Sequence, residues 1–167
     1  MEINLETIAT FITIILTGLT AGLCFTWSNA VTPGIGQLDD LGFLQSFQQM
    51  NRVIINPTFM LVFFGPFVSN IILLFLKYHN SSSSIWLFVV AAGLFIFGVT
   101  CVTIFGNVPL NEILDKVDLI SASAEELSTL REKFEAPWNQ WHWVRTITSI
   151  ASFMLLMIGV LMTNPSS

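Results

Sequence analysis

The segment "APWNQWHWVRT", residues 136–146, gathers three tryptophans, a histidine and an arginine into eleven residues. Trp138, Trp141, His142 and Arg145 stand at i, i+3, i+4 and i+7, so a continuous helix puts all four on one face. An imidazole, a guanidinium and two indole faces can hold a flat molecule, take a proton from it and steady the anion left behind. The same residues also suit an aromatic belt at a membrane surface with a snorkelling arginine. Trp143 points away from the shared face, towards lipid or headgroups.

Two further polar clusters shift the balance towards a site. "NVPLN" sets Asn107 and Asn111 four residues apart, and "NRVIINP" carries Asn51, Arg52 and Asn56. Amides and guanidinium groups beside hydrocarbon are costly unless they pair or line a cavity. One shared pocket is therefore favoured over a network of helix caps. His142, Arg145, Asn107 and Asn111 are the candidate catalytic residues. Asn51, Arg52, Asn56, Trp138 and Trp141 are the candidate substrate-binding residues. Ser28 and Asn29 end an apolar stretch on the same side and could contribute.

The elements that must position these residues follow from the charge distribution. The chain of 167 residues is 53% hydrophobic and 10% charged, with mean hydropathy +0.74. A soluble domain carries about 25% charged residues, so an integral membrane protein of one domain, residues 1–167, is expected. Charge is absent between Glu6 and Asp39, Arg52 and Lys77, Lys77 and Glu112, and after Arg145. Each gap exceeds the roughly 20 residues that cross a bilayer. Four spans are predicted, near residues 8–27, 58–76, 85–105 and 147–162. Stretches such as "FMLLMIGVLM" do not alternate in polarity, so helices rather than barrel strands are expected. The predicted class is all-α, a membrane four-helix bundle with short amphipathic helices in the two long loops on one side.

Four spans put both termini on one side and the two long loops on the other. In the first loop Pro33, Gly34 and Gly36 are expected to break the helix, after which Phe43, Phe47, Met50 and Ile54 recur at helical spacing. Pro57 is placed to begin the second span. In the second loop Ser123 and Glu126 fit a capping box, and Leu127, Leu130 and Phe134 form the stripe of a short solvated helix. The connection "KYHNSSSS" is expected to be a flexible turn, and its Asn80 sequon carries little weight. Gly18 and Gly22 form a GxxxG, read as helix packing. Cys24 and Cys101 both lie inside predicted spans and are read as small buried hydrophobes. By the positive-inside rule Lys77 stands against Arg52, Lys116, Lys133 and Arg145. Discounting Arg52 and Arg145 as site residues places the termini in the cytoplasm.

Several chemistries are disfavoured. The net charge of −5 and the lack of a basic patch argue against nucleic acid. There is no HxxxH, no CxxC and no phosphate loop, and the two histidines fall on opposite sides, so no metal site or bis-histidine haem is expected. No carboxylate lies mid-span, as ion transport would require.

Four stretches together resemble one family: "TAGLCFTWSNAVTPGI", "MNRVIINPTFMLVFFG", "NVPLNEIL" and "WNQWHWVRT". Their order and spacing are similar to the DUF1772 membrane proteins, the group that includes anthrone oxygenases. The resemblance covers nearly the whole chain. It implies a four-helix membrane protein and, for the anthrone oxygenase branch, oxidation of anthrones by O2 without a cofactor. The positions it carries over are Asn51, Arg52, Asn56, Pro57, Asn107, Pro109, Asn111, Trp141, Arg145 and Thr146. His142 falls where the family varies between asparagine and histidine. The leading expectation is a cofactor-independent membrane oxygenase acting on an anthrone-like or other polycyclic phenolic compound, a hydrophobic aromatic molecule that enters from the lipid bilayer. The alternative is a non-enzymatic protein that binds a lipid, a quinone or a partner helix.

Overall fold

The computed structural model describes residues 4–79 and 85–163, without the side chain of residue 163. The expected turn at residues 80–84, with its sequon, lies outside the described residues. Five helices account for the fold: α1 (Leu5–Ile35), α2 (Asp40–Ile54), α3 (Pro57–His79), α4 (Ile85–Asp115) and α5 (Ala124–Thr163). All but α2 are long and apolar enough to cross a membrane. Among the described residues there is no strand. In the bundle α1 packs between α3 and α5, and α4 closes the ring against the same two helices.

Three apolar layers hold the bundle. At the loop-bearing end α2 presses Phe43, Leu44 and Phe47 onto Leu114 of α4 and onto Phe134 and Trp138 of α5. In the middle Cys24, Phe63, Phe95 and Val99 pack together. Near the termini Ala9, Leu73, Phe88, Ala91 and Leu156 form the third layer. α2 is the expected amphipathic helix, with its N-terminus closed by Asp39, whose carboxylate accepts from the Gly42 N–H at 2.8 Å. Such a cap is worth about 1 kcal/mol.

Two expected boundaries move. The first helix passes through Pro33 and Gly34 and ends only after Ile35, where a side chain at Gly36 would lie 2.9 Å from the Thr32 carbonyl. The acidic segment is not a separate short helix, because α5 runs unbroken from it through Pro137 into the fourth span. The expected capping box does start that helix. The Ser123 N–H and hydroxyl both donate to Glu126 and hold its carboxyl below the usual carboxylate range. Prolines pass through these helices because wider turns or neighbours compensate. A π-type turn spans Trp27–Val31 just before Pro33, and another spans Thr103–Asn107 just before Pro109. In α3, Pro66 cannot donate to the Val62 carbonyl, and the Thr20 hydroxyl of α1 does so instead at 2.8 Å.

The loop-bearing end is stapled by Arg131. Its guanidinium donates to the carbonyls of Gly36 and Leu38 at 2.9 Å each, and to Asp40 and Glu135. At the other end Lys77 is buried, pairs with Glu6 at 2.8 Å and sits 4.1 Å over the Phe88 ring. Of the GxxxG pair, Gly18 meets Phe153 closely, whereas Gly22 faces open space. Both cysteines are free.

Candidate functional site

Beside its apolar layers the interior of the bundle carries a face lined by hydroxyls. α1 turns Thr10, Thr13, Thr17, Thr20, Cys24 and Ser28 inward, and α5 turns His142, Arg145, Thr146, Ser149 and Ser152 inward. Most of these hydroxyls bond back to a carbonyl one turn earlier, as Thr13 does to Ala9 and Thr146 to His142. Between the upper and middle apolar layers this polar face carries the one buried arginine of the bundle's described residues.

His142 and Arg145 form the centre. The Nε2–H of His142 donates to the Cys24 carbonyl at 3.1 Å, and Nη2 of Arg145 donates to Nδ1 at 2.6 Å. A guanidinium only donates, so Nδ1 carries the lone pair and the ring is the neutral Nε2–H tautomer. The Trp138 ring stacks on the imidazole, with centroids 4.9 Å apart and an interplanar angle of 19°. The same ring lies 5.2 Å from the guanidinium carbon, and Phe63 lies 5.9 Å from it on another side. The Cys24 carbonyl sits just before the wide turn of α1. It also accepts from the Trp27 N–H and, at 3.4 Å, from the Thr146 hydroxyl. Ser28 bonds Thr146 at 2.8 Å, which joins α1 to this group, whereas Asn29 is exposed.

Arg145 is 7% exposed, yet among the described residues no carboxylate lies within ion-pair distance of it. Nη1 reaches Thr103 only at 3.4 Å, and Nε is buried without a partner. Two more buried atoms on α4 lack partners, Thr100 Oγ1 and Asn107 Oδ1, one turn to either side of Thr103. Buried polar atoms are nearly always satisfied, and each orphan costs about 1–3 kcal/mol. Three of them around one residue leave a guanidinium N–H donor, a hydroxyl and an amide acceptor for a bound molecule.

The predicted residues separate into two groups. Trp138, His142, Arg145, Asn107 and Asn111 come together: Asn107 Nδ2 donates to the Trp138 carbonyl at 3.1 Å, and the Trp138 indole donates to Asn111 Oδ1 at 2.8 Å. With one Nδ2 N–H given to Trp138, Asn107 leaves its Oδ1 unpartnered, an acceptor that the oxyanion reading did not expect. Trp141 leaves the shared face. It is 44% exposed and lies against Gly106, where a side chain would meet its ring at 2.8 Å. Arg52 is exposed and pairs with Asp115 at 2.7 Å, while Asn56 caps α3 through the Phe59 N–H. Neither bonds to the His142–Arg145 group. Asn51 stays near the aromatic layer with its Nδ2 buried and unpartnered. Trp143 faces outward. The sequence reading missed Trp27, Thr100, Thr103 and Phe63. Thr100 and Thr103 share the helical face of Asn107, a spacing that could have found them.

Among the described residues no three His, Cys, Asp or Glu side chains gather as a metal site would require. Two surface hollows open beside Val117 and Asp118, one towards Gln48 and Arg52, the other towards Leu127 and Leu130. Arg145 lines neither.

A family model described as anthrone oxygenase matches residues 59–155, more than half of the chain. No curated protein and no solved structure matches.

Proposed function

The chain belongs to the anthrone oxygenase family, and from that premise we propose that it oxidises an anthrone-like or other polycyclic phenolic compound with O2, using no cofactor. The observation that carries this reading is the condition of Arg145: buried, between aromatic rings, with no counter-ion among the described residues and with Nε unpartnered. A buried charge without a partner is expensive. The enolate or phenolate oxygen of a flat substrate would supply the missing negative charge, with the substrate ring held among Trp138 and Phe63.

The chemistry balances with O2 as the sole co-reactant. Loss of a proton from the ring methylene opposite the carbonyl leaves an enolate. Its electrons pass to O2 and a carbon–oxygen bond forms at that carbon. The peroxide formed takes up a proton; the remaining ring hydrogen then leaves as a proton and the outer oxygen as hydroxide, together one water molecule, which leaves the quinone. We assign the proton step to His142, whose neutral ring has its lone pair on Nδ1. Its Nδ1 lone pair is held by Arg145. When the substrate oxygen takes over the arginine N–H, Nδ1 is released beside the substrate. The Cys24 carbonyl then accepts from the Nε2–H of the imidazolium. Asn107 Oδ1 suits a substrate hydroxyl.

The test is O2 uptake by the purified protein in detergent with anthrone as substrate. His142→Ala and Arg145→Ala should each lose turnover by about 100-fold or more while melting near the wild-type temperature. Full activity in both variants would refute the assignment.

Orientation follows from the same side chains. Arg52 is exposed rather than buried in a site, so it regains its weight in the charge count. Lys77 is sequestered by Glu6. We therefore place the loop-bearing end in the cytoplasm and the termini opposite. A cysteine introduced at Ser121 should resist an impermeant thiol reagent in intact cells. Ready labelling there would reverse the placement.

A further inference from the structure

Among the buried groups the proposed reaction leaves unused are two N–H donors, on Trp27 and Asn51. Nε1 of Trp27 is sealed from solvent and has no partner. The indole of Trp138, in the same aromatic cluster, finds Asn111 at 2.8 Å, so a partner is attainable in these surroundings. Nδ2 of Asn51 is likewise buried and unpartnered. Phe47 connects the two. The Trp27 ring meets it edge-on with centroids 6.0 Å apart, and Asn51 follows it by one turn on the same face of α2. Trp27 also touches both rings of the stack, at 5.9 Å from Trp138 and 6.5 Å from His142.

An indole N–H can only donate, and the orphaned atom of Asn51 is its amide nitrogen. Both therefore call for an acceptor oxygen. Arg145 stands 5.2 Å from the Trp138 ring, and Trp27 stands 5.9 Å from it towards the loops.

The geometry points to a second oxygen subsite: Trp27 Nε1–H and Asn51 Nδ2–H receive an oxygen on an outer ring of the polycyclic ligand whose reacting oxygen rests at Arg145. The inference rests on the functional reading above and adds a rule of selectivity to it. Substrates with an outer-ring hydroxyl or carbonyl are preferred to the bare ring system, and Trp27 is a specificity-determining residue rather than a catalytic one.

The experiment compares anthrone with 3-hydroxyanthrone as substrates of the purified full-length protein in detergent. Wild type should show the lower KM for the hydroxylated compound. Trp27→Phe keeps an aromatic ring against Phe47 and removes the donor. It should raise KM for 3-hydroxyanthrone about ten-fold, the loss expected for one buried hydrogen bond, and leave KM for anthrone and both kcat values within two-fold. Asn51→Asp replaces the donor with an acceptor and should discriminate in the same direction, which serves if Trp27→Phe fails to fold. Equal changes for the two substrates, or no change for either, would overturn the subsite while leaving the oxygenase reading intact. If wild type oxidises neither compound, the oxygenase reading falls and the subsite falls with it.

Discussion

His142 owes its tautomer to two partners that the sequence does not place beside it. Arg145 lies one turn on along the same helix, but the Cys24 carbonyl comes from the neighbouring helix α1, just before the point where it widens. Trp138 then packs on both groups at once. Its two roles separate by substitution. Trp138→Phe retains a ring against the imidazole but leaves Asn111 without its donor, so it should cost about 1 kcal/mol of stability in a detergent melt and preserve most turnover. Trp138→Ala also opens a cavity between Phe47, Phe134 and His142, and should cost about 3 kcal/mol or more and abolish binding of an anthrone. Helical spacing made the alignment of Trp138, His142 and Arg145 legible. It misplaced Trp141, because the absence of a side chain at Gly106 draws that ring to the edge of α4. It could not disclose that Asn107 presents its oxygen, since that depends on a carbonyl contributed by α5.

At the scale of elements, the spans were readable because four stretches without charge leave little choice. Their ends were not. Pro33 reads as a break, yet its helix continues through it, as the others do through Pro109 and Pro137. In water a proline-freed carbonyl is hydrated and the helix ends cheaply. Inside a bundle another helix supplies the donor, or a π-type turn shifts the register so that the missing N–H is absorbed. The Thr20 hydroxyl on Val62 is the clearest case. Thr20→Val should leave that carbonyl unpaired and lower stability by about 1 kcal/mol, whereas Thr148→Val, on an exposed hydroxyl bond, should do little. Close helix contact sets a second test. A side chain at Gly98 would meet Thr148 at 2.5 Å, so Gly98→Ala should force α4 from α5 and cost about 1–3 kcal/mol. Gly22→Ala, facing open space, should be neutral.

Taken whole, the molecule is a membrane bundle with an apolar exterior, a hydroxyl-lined interior and a single buried guanidinium below an aromatic cap among its described residues. Composition foretold the exterior. The interior was hidden because threonine and serine are common enough in apolar helices to pass unnoticed, and only the packing of α1 against α5 shows that they line one face. The gathering of polar clusters was foreseen more broadly than it occurs: Arg52 and Asn56 lie towards the surface, and the candidate site lies deeper, where α1, α4 and α5 meet around Arg145. The central claim is that this arginine serves an oxidation by O2. The most direct measurement is the rate of anthraquinone formation from anthrone, with O2 uptake recorded in parallel, for wild type and Arg145→Ala in the same detergent. The account predicts that wild type exceeds the spontaneous rate by orders of magnitude, that O2 and anthrone disappear in equal amounts, and that the variant falls to near the spontaneous rate. A wild-type rate no faster than the spontaneous oxidation, or a variant as fast as wild type, would contradict it.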